Sequence, residues 1–286
     1  MVLAVDLGGT KTAIARVDEH GVVHDRLTLP AARTLEATVA QIASAAGRAG
    51  DCAAVGVILP GIYNPSTGGA WCPNLWGRDE VPLRRALGDR LRHDAFIDSD
   101  RAGYVLGEAW LGVARGLRDV LFVAIGTGIG VGILAGGRVV RGAGGIAGAA
   151  GWFALTPEWK DVYAEVGCWE AEAAGPGVAR RAGLPDAAAV ASAARAGDPT
   201  ALAALDRAAR FTAMGIANLI SAFDPDAVVL GGGLMVGAGD LLLDRIRAEV
   251  PRWAQPISAS RCRIELTRLG ADAGLLGAAR LALDHT

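Results

Sequence analysis

The N-terminal segment constrains the fold more than any other part of the chain. In residues 1–17 an apolar run leads to Asp6, a short polar turn follows, and the apolar pattern then resumes. This order predicts a strand, a tight turn and a second strand. The turn consists of two adjacent glycines followed by hydroxyl and ammonium side chains, Gly8-Gly9-Thr10-Lys11-Thr12. Adjacent glycines let backbone amides approach an anion closely, and a carboxylate such as Asp6 can hold Mg²⁺ directly or through water.

The turn is open to two interpretations, a cradle for the polyphosphate of a nucleotide or an ordinary Gly-Gly hairpin turn. It is not a Walker loop, because Thr10 rather than glycine precedes Lys11 and residues typical of strands follow. It does not match a Rossmann fingerprint either. The pattern resembles the first phosphate motif of the superfamily of sugar kinases, heat-shock chaperones and actin, in which a β-hairpin cradles the phosphates.

Composition and charge exclude several classes of protein. A chain of 286 residues can bury a substantial core, and its length fits two medium domains. Its formal charge is −2 and the charges are interspersed, so neither nucleic acid nor an anionic membrane is an expected partner. With no basic leader and no apolar run of transmembrane length, we expect a cytoplasmic protein. The four scattered cysteines favour reduced thiols over disulfides or a metal cluster.

The order of predicted elements occurs twice, which indicates a duplicated fold. The first half reads as a hairpin, a third strand, a helix over residues 34–49, strands at 53–59 and 95–97, and a loop at 62–78. The second half begins with a glycine-rich hairpin at 119–134, and a helix at 200–223 precedes its strand at 228–230. Two halves of this kind imply a cleft between them. The final helix, 273–283, is expected to pack back onto the first half.

Two further glycine-rich segments have residues suited to binding a nucleotide. Gly126, Thr127 and Gly128 form the turn of the second hairpin, where backbone amides and a hydroxyl would face a phosphate; the alternative is a tightly packed hairpin. Residues 225–234 form a strand that runs into Gly231-Gly232-Gly233 and Leu234. That loop suits contact of an adenine ring with bare backbone, and its alternative is an ordinary strand-end turn.

Two carboxylates, Asp98 and Asp100, follow a predicted strand directly. A carboxylate in this place can accept the proton of a hydroxyl whose oxygen attacks a phosphoryl group. The alternative is that one of them caps the N-terminus of the next helix.

Taken together, these segments resemble the ROK family of sugar kinases over nearly the whole chain. The motifs that carry the resemblance are DLGGTKT at 6–12, PG at 60–61, PNL at 73–75, DSDRAGYVLGE at 98–108, GTGIGVGI at 126–133, GCWEAEAAG at 167–175, PDAVVLGGGL at 225–234 and GLLGAARLA at 274–282. The resemblance implies that Asp100 is the catalytic base and that Glu170 binds sugar hydroxyls. It places Ser99 where a substrate-binding Asn is usual. Substrate contacts are also expected from Pro60, Gly61 and Asn74.

The chain departs from this family in its sugar-binding and zinc-binding motifs. The family's Gly-Glu-x-Gly-His is replaced by Gly-Ala-Ala-Gly-Trp at 148–152, so Ala149 and Trp152 stand where Glu and His are usual. The segment 161–168 keeps Cys168 alone of the family's cysteines. Because a structural zinc needs four ligands, we expect no zinc site.

The resemblance implies an α/β protein with two RNase H-like (actin-like ATPase) domains and a nucleotide and substrate cleft between them. We assign residues 1–112 and the C-terminal helix, 272–286, to the first domain and 113–271 to the second. The implied reaction is ATP- and Mg²⁺-dependent phosphorylation of a small-molecule sugar or polyol, with a homodimer as the assembly. Since the chain starts at the phosphate hairpin, without the winged helix of ROK repressors, we expect the kinase form.

Two other functions stay open at this point. One is a non-catalytic sugar or nucleotide sensor derived from a kinase, and the other is an ATPase coupled to a protein partner. Ser99, Ala149 and Trp152 replace the side chains usual in the family, and two of these changes replace a polar group by an apolar one, which indicates a substrate other than glucose. We expect a polyol with altered substituents near C1 and C2, such as a carbocyclic C7-cyclitol, with Trp152 as a stacking face.

Overall fold

The computed structural model describes the whole chain, residues 1–286, and its internal contacts divide it into two compact units. The first unit comprises Met1–Arg115, Val139–Ala147 and Ala271–Thr286, and the second comprises Gly116–Arg138 and Gly148–Gly270. Residues 139–147, which we expected in the second domain, are therefore grouped with the first unit.

The first unit is formed mainly by the first 115 residues. Its strands are β1 (Val2–Leu7), β2 (Lys11–Val17), β3 (Val23–Pro30), β4 (Val55–Leu59), β5 (Ile62–Asn64), β6 (Gly69–Trp71) and β7 (Ala95–Ser99). Its helices in this part are α1 (Leu35–Ala49), α2 (Pro73–Trp76), α3 (Leu83–Gly88) and α4 (Asp100–Trp110). The segment 62–78, which we expected to be a loop, contains the β5–β6 hairpin and α2, so that expectation was wrong.

The main sheet of the first unit has the order β3-β2-β1-β4-β7. β1, β2 and β3 pair antiparallel, whereas β1, β4 and β7 run parallel. Parallel strands end at the same edge of a sheet. The register pairs Asp6 with Ile58 and Ile58 with Asp98, so Asp6 in β1 and Asp98 in β7 lie at the same level of the sheet, near the carboxyl ends of their strands.

The second unit repeats this arrangement. Its strands are β8 (Val120–Ile125), β9 (Ile129–Ala135), β10 (Arg138–Val139), β11 (Ala227–Gly231) and β12 (Arg263–Leu266). Its helices are α5 (Tyr163–Val166), α6 (Cys168–Ala173), α7 (Gly175–Ala182), α8 (Ala187–Arg195), α9 (Pro199–Phe223), α10 (Gly233–Glu249) and α11 (Pro256–Arg261), with a short 3₁₀ helix at Ala150–Trp152. The sheet order β10-β9-β8-β11-β12 matches that of the first unit strand for strand. The predicted α/β fold with two similar domains is confirmed.

Each unit has its own apolar core. The first is built around Leu3, Val5, Ile14 and Val57, and the second around Trp169 with Leu205 and other side chains of α9. None of the helices has the length and apolar composition needed to cross a membrane.

The last helix, α12 (Ala273–Leu283), packs on α4, β1 and β4 of the first unit. The approach is close because glycines face backbone there. A Cβ at Gly277 would lie 1.8 Å from the carbonyl oxygen of Gly103, and one at Gly56 would lie 1.9 Å from that of Ala278. No side chain fits at either position.

We expect Gly277→Ala to lower the free energy of unfolding by about 1–3 kcal/mol or more, because the added methyl meets rigid backbone. Gly47→Ala is a suitable control, since Gly47 also lies in a helix and a Cβ there meets nothing within 4 Å. That change should stabilise the protein by about 0.5–1 kcal/mol, the difference in helix propensity. Urea unfolding of both variants measures the effects; equal stabilities would contradict the close packing of α12.

Candidate active site

The β1–β2 turn presents polar groups at the edge of the first sheet. The Gly8 N–H donates to the Lys11 carbonyl at 2.8 Å, and a Cβ at Gly8 would lie 2.7 Å from that oxygen. Gly9, Thr10 and Lys11 are exposed, whereas Thr12 is buried within the sheet. Of the predicted contacts in this turn, Gly9, Thr10 and Lys11 are accessible to a phosphate, whereas Thr12 is not.

Asp6 and Asp100 are the two half-buried carboxylates beside this turn. Burial, with a smaller contribution from the charge of Asp100, raises the pKa of Asp6 to about 7, although Lys11 and Arg26 oppose the shift. Burial also raises the pKa of Asp100 to about 6, against the opposing charge of Arg101. Two carboxylates that share a partly dehydrated place are suited to binding a divalent cation or to accepting a proton.

The three neighbouring residues Asp98, Ser99 and Asp100 have different surroundings and make different contacts. Asp98 is buried, and its Oδ2 accepts from Nε of Arg141 at 2.7 Å in an ion pair. Ser99 is the N-cap of α4, since its hydroxyl accepts from the N–H of Ala102. Asp100 is the first residue of that helix, so the alternative that one of the two aspartates supplies the N-cap was wrong.

The remaining predicted residues of the first unit lie around the β5–β6 hairpin. Pro60 and Gly61 precede β5, and a Cβ at Gly61 would lie 2.2 Å from the carbonyl oxygen of Trp71. Asn74 is exposed on α2, where its carbonyl accepts from Arg33 at 2.8 Å. Its side chain is therefore available to a ligand.

In the second unit, the β8–β9 turn lies at the mouth of a cavity of about 370 Å³. Gly126 and Thr127 line this cavity together with Gly233 and Leu234 of α10, as predicted contacts of a nucleotide. Its other lining residues come from α7, the turn before α8 and the first turn of α8: Gly175, Pro176, Ala179, Pro185, Asp186, Ala187 and Ala188. This second wall was not predicted from the sequence, in which the Gly-Pro-Gly at 175–177 is the one signal for it.

The three glycines after β11 serve two purposes. A Cβ at Gly231 would lie 2.3 Å from the Phe122 ring, and one at Gly232, whose φ is +86°, would lie 2.6 Å from the Ile125 carbonyl oxygen. These two glycines allow close packing. A Cβ at Gly233 meets nothing within 4 Å, so this glycine is the one that leaves open backbone beside the cavity.

Glu170 and Trp152 are the predicted substrate residues of the second unit. The Oε2 atom of Glu170, on α6, accepts from the N–H of Ile129 at 2.7 Å. Burial raises the pKa of this carboxyl. Trp152 ends the 3₁₀ helix and is 57 % exposed, and Ala149 precedes that helix. An exposed indole can hold the face of a ring, and a partly dehydrated carboxylate can accept from a hydroxyl.

A cluster of charged side chains occupies the region in which the family resemblance implied a zinc motif. Glu172 is buried and is contacted by four donors: Lys160, Tyr163, Arg181 and Arg207. Although burial acts to raise the pKa of Glu172, hydrogen bonds from Arg207, Lys160 and Tyr163 outweigh it and lower the pKa to about 2. The cluster links α6 to α5, α7 and α9. No group of three or more His, Cys, Asp or Glu side chains is arranged to hold a metal; the absence of zinc stays a prediction.

The comparisons with known proteins agree with this geometry. The family model described as ROK family matches residues 2–285. The chain belongs to the ROK family. It is 33% identical to a glucokinase of Streptomyces coelicolor, and the match covers 99% of this chain and 97% of the relative.

Two solved structures are also similar throughout. A ROK hexokinase of Thermus thermophilus is 34% identical with a TM-score of 0.85, and the match covers 99% of this chain and 97% of the other. A ROK family glucokinase of Streptomyces griseus, determined with glucose and AMPPNP, is 30% identical with a TM-score of 0.80 and is matched over 99% of both chains.

The raised pKa values of Asp6 and Asp100 have a consequence for the ligand-free protein. Because the folded state holds these protons more tightly than an unfolded chain does, the stability they contribute is lost as the pH rises from about 4 to 7. We therefore expect Asp6→Asn to gain stability relative to wild type as the pH is raised from about 5 to about 8. Urea unfolding across that range, without Mg²⁺, measures the difference. Asp244→Asn, at a carboxylate that is 92% exposed, is the control and should show no such trend.

Proposed function

We propose that the protein is an ATP-dependent carbohydrate kinase that phosphorylates a hydroxyl of a sugar or a sugar-like polyol. The observation that carries this proposal is the closeness of Asp6, in β1, to Asp100, the first residue after β7, beside an exposed Gly-Gly-Thr-Lys turn. In this arrangement Asp6 can bind a cation, the turn can donate hydrogen bonds to phosphate, and Asp100 can accept a proton. Membership of the ROK family and the glucokinase relatives support the same class of reaction.

ATP and Mg²⁺ fit the residues that are present. Asp6 is a partly dehydrated carboxylate with a raised pKa, an environment in which a divalent cation would favour the ionised form. In the first unit, Lys11 and Thr10 are the candidate donors for phosphate oxygens; in the second, they are Thr127 and the amides of its turn. The 370 Å³ cavity with its bare backbone at Gly233 would receive the adenosine. When bound, Mg²⁺ supplies positive charge for the transferred phosphoryl group.

Asp100 would act as the general base. A hydroxyl of the substrate donates its proton to the Asp100 carboxylate while its oxygen forms a bond to the γ-phosphorus, and the bond to the β-phosphate oxygen breaks to release ADP. The pKa of about 6 leaves Asp100 mostly ionised at neutral pH but raises its basicity above that of an exposed carboxylate. Asp98 is excluded from this role because Arg141 already holds its charge.

The substrate proposal rests on what surrounds Glu170. The hydroxyl of Ser99 is used as a helix cap, and Ala149 and Trp152 provide no acceptor for sugar hydroxyls. A site that lacks these partners favours a ring with fewer or altered hydroxyls at the corresponding positions, because unpaired hydroxyls are costly to dehydrate. We propose a carbocyclic polyol such as a C7-cyclitol, packed against the exposed Trp152. We also propose that the protein is a homodimer, that it lies in the cytoplasm, and that it binds neither nucleic acid nor membranes.

We expect Asp100→Asn to lower kcat by about 10² or more while nucleotide binding persists, since the amide cannot accept the proton. Coupled assays of ADP release and titration with AMPPNP measure the two properties. Asp98→Asn provides the comparison and should mainly lower stability, because it leaves the charge of Arg141 uncompensated. Wild-type turnover by Asp100→Asn together with an inactive, folded Asp98→Asn would contradict the assignment.

The substrate class is tested by comparing kcat/KM for glucose, N-acetylmannosamine and a C7-cyclitol. We expect the cyclitol to exceed glucose by about 10²-fold or more, within the range that unmatched hydroxyls produce. The double variant Ala149→Glu, Trp152→His restores the polar groups usual in the family and should raise kcat/KM for glucose relative to the cyclitol. Efficient turnover of glucose by the wild type would exclude the cyclitol, and absence of ADP release with every polyol would overturn the kinase proposal.

A further inference from the structure

Glu170 lies in a close-fitting cradle formed by two glycines. A Cβ at Gly128 would lie 2.7 Å from its Oε2 atom, and one at Gly151 would lie 3.0 Å from the same atom. Gly128 belongs to the β8–β9 turn, and Gly151 is the residue before Trp152. The carboxylate therefore separates the turn that carries Thr127 from the short helix that carries Trp152, and it contacts both.

The hydrogen bond of this carboxylate secures the turn. Ile129 is the first residue of β9 and is buried, and its N–H donates to Oε2 of Glu170 at 2.7 Å. The turn itself is closed by one further bond, from the Gly126 N–H to the Gly128 carbonyl at 3.0 Å. Removing the carboxylate leaves a buried N–H without its acceptor at the end of a glycine-rich turn. Such a loss costs more than an ordinary hydrogen bond contributes.

We propose that Glu170 is a positioning residue for the nucleotide as well as a substrate residue. Oε2 holds the turn in which Gly126 and Thr127 would contact phosphate, and Oε1 remains for a hydroxyl of the substrate. This inference rests on the proposed function for the roles of the two ligands. The Glu170 carboxylate would contact both the turn that holds the nucleotide and the substrate. Binding of either ligand therefore restricts the motion of this carboxylate, and the second ligand then loses less conformational entropy when it binds. Binding of the polyol and of the nucleotide should then favour each other by the same factor.

The test is the affinity for Mg²⁺-AMPPNP measured calorimetrically without any polyol. Glu170→Ala should weaken this affinity about tenfold, within the usual range for a coupled contact. Glu170→Gln should stay within about twofold of wild type, because its amide oxygen can still accept from Ile129, while its kcat/KM for the polyol falls. Glu165→Ala, at an exposed glutamate on the neighbouring helix α5, is the matched control and should change neither value.

A second variant guards against misfolding of Glu170→Ala. Gly151→Ala lies outside the turn, and its added methyl would press on the carboxylate; it should weaken AMPPNP binding in the same direction. Hydrogen exchange at residues 126–130 should be faster in Glu170→Ala than in Glu170→Gln. Equal AMPPNP affinities for wild type, Glu170→Ala and Gly151→Ala would overturn the positioning role, and they would leave the kinase proposal standing, since that is tested by ADP release.

Discussion

The close approach of α12 to the first sheet is the contact on which the chemistry of this unit depends. Because Gly277 and Gly56 carry no side chains, the helix lies directly against backbone of α4 and its own carbonyls lie against β4. This position brings Gly274 so near to Asp6 that a Cβ would lie 2.3 Å from its Oδ2 atom. Water is thereby excluded from one side of Asp6, and burial is the largest cause of its raised pKa. The packing of this helix and the environment of the Asp6 carboxylate therefore both depend on positions that carry no side chain.

The sequence was sufficient for the regular parts of the fold, since those are determined by local patterns. Alternating apolar residues around Gly8-Gly9 and around Gly126–Gly128 identified both hairpins, and the repetition of element order identified two similar sheets. It was insufficient for residues 62–78, where β5 and β6 have three residues each. Elements of this length have no periodicity to detect and depend on contacts such as that of Gly61 with Trp71.

In the candidate site, too, features that depend on neighbouring residues could be predicted from the sequence, and contacts between residues far apart in the sequence could not. The place after a strand predicted a carboxylate at residue 98 or 100, the family resemblance selected Asp100, and the glycines around Thr127 predicted a phosphate contact there. The separate roles of Ser99 and Asp98 were not, because Ser and Asp cap helices about equally well and only the ion pair with Arg141 distinguishes them. Arg141 is 43 positions away from Asp98, and Arg207 is 35 away from Glu172. Pairs so far apart in one sequence are recognised only once the chain is folded.

The assignment of residues 139–147 to the first unit means that the two units are interleaved along the polypeptide. The first unit is made from three separate stretches of chain, and the second from two. No single cut therefore releases either unit whole. During synthesis, the stretch 148–270 follows the first sheet out of the ribosome before residues 271–286 appear. Asp6 therefore gains its contact with Gly274 only after residues 148–270 have been made.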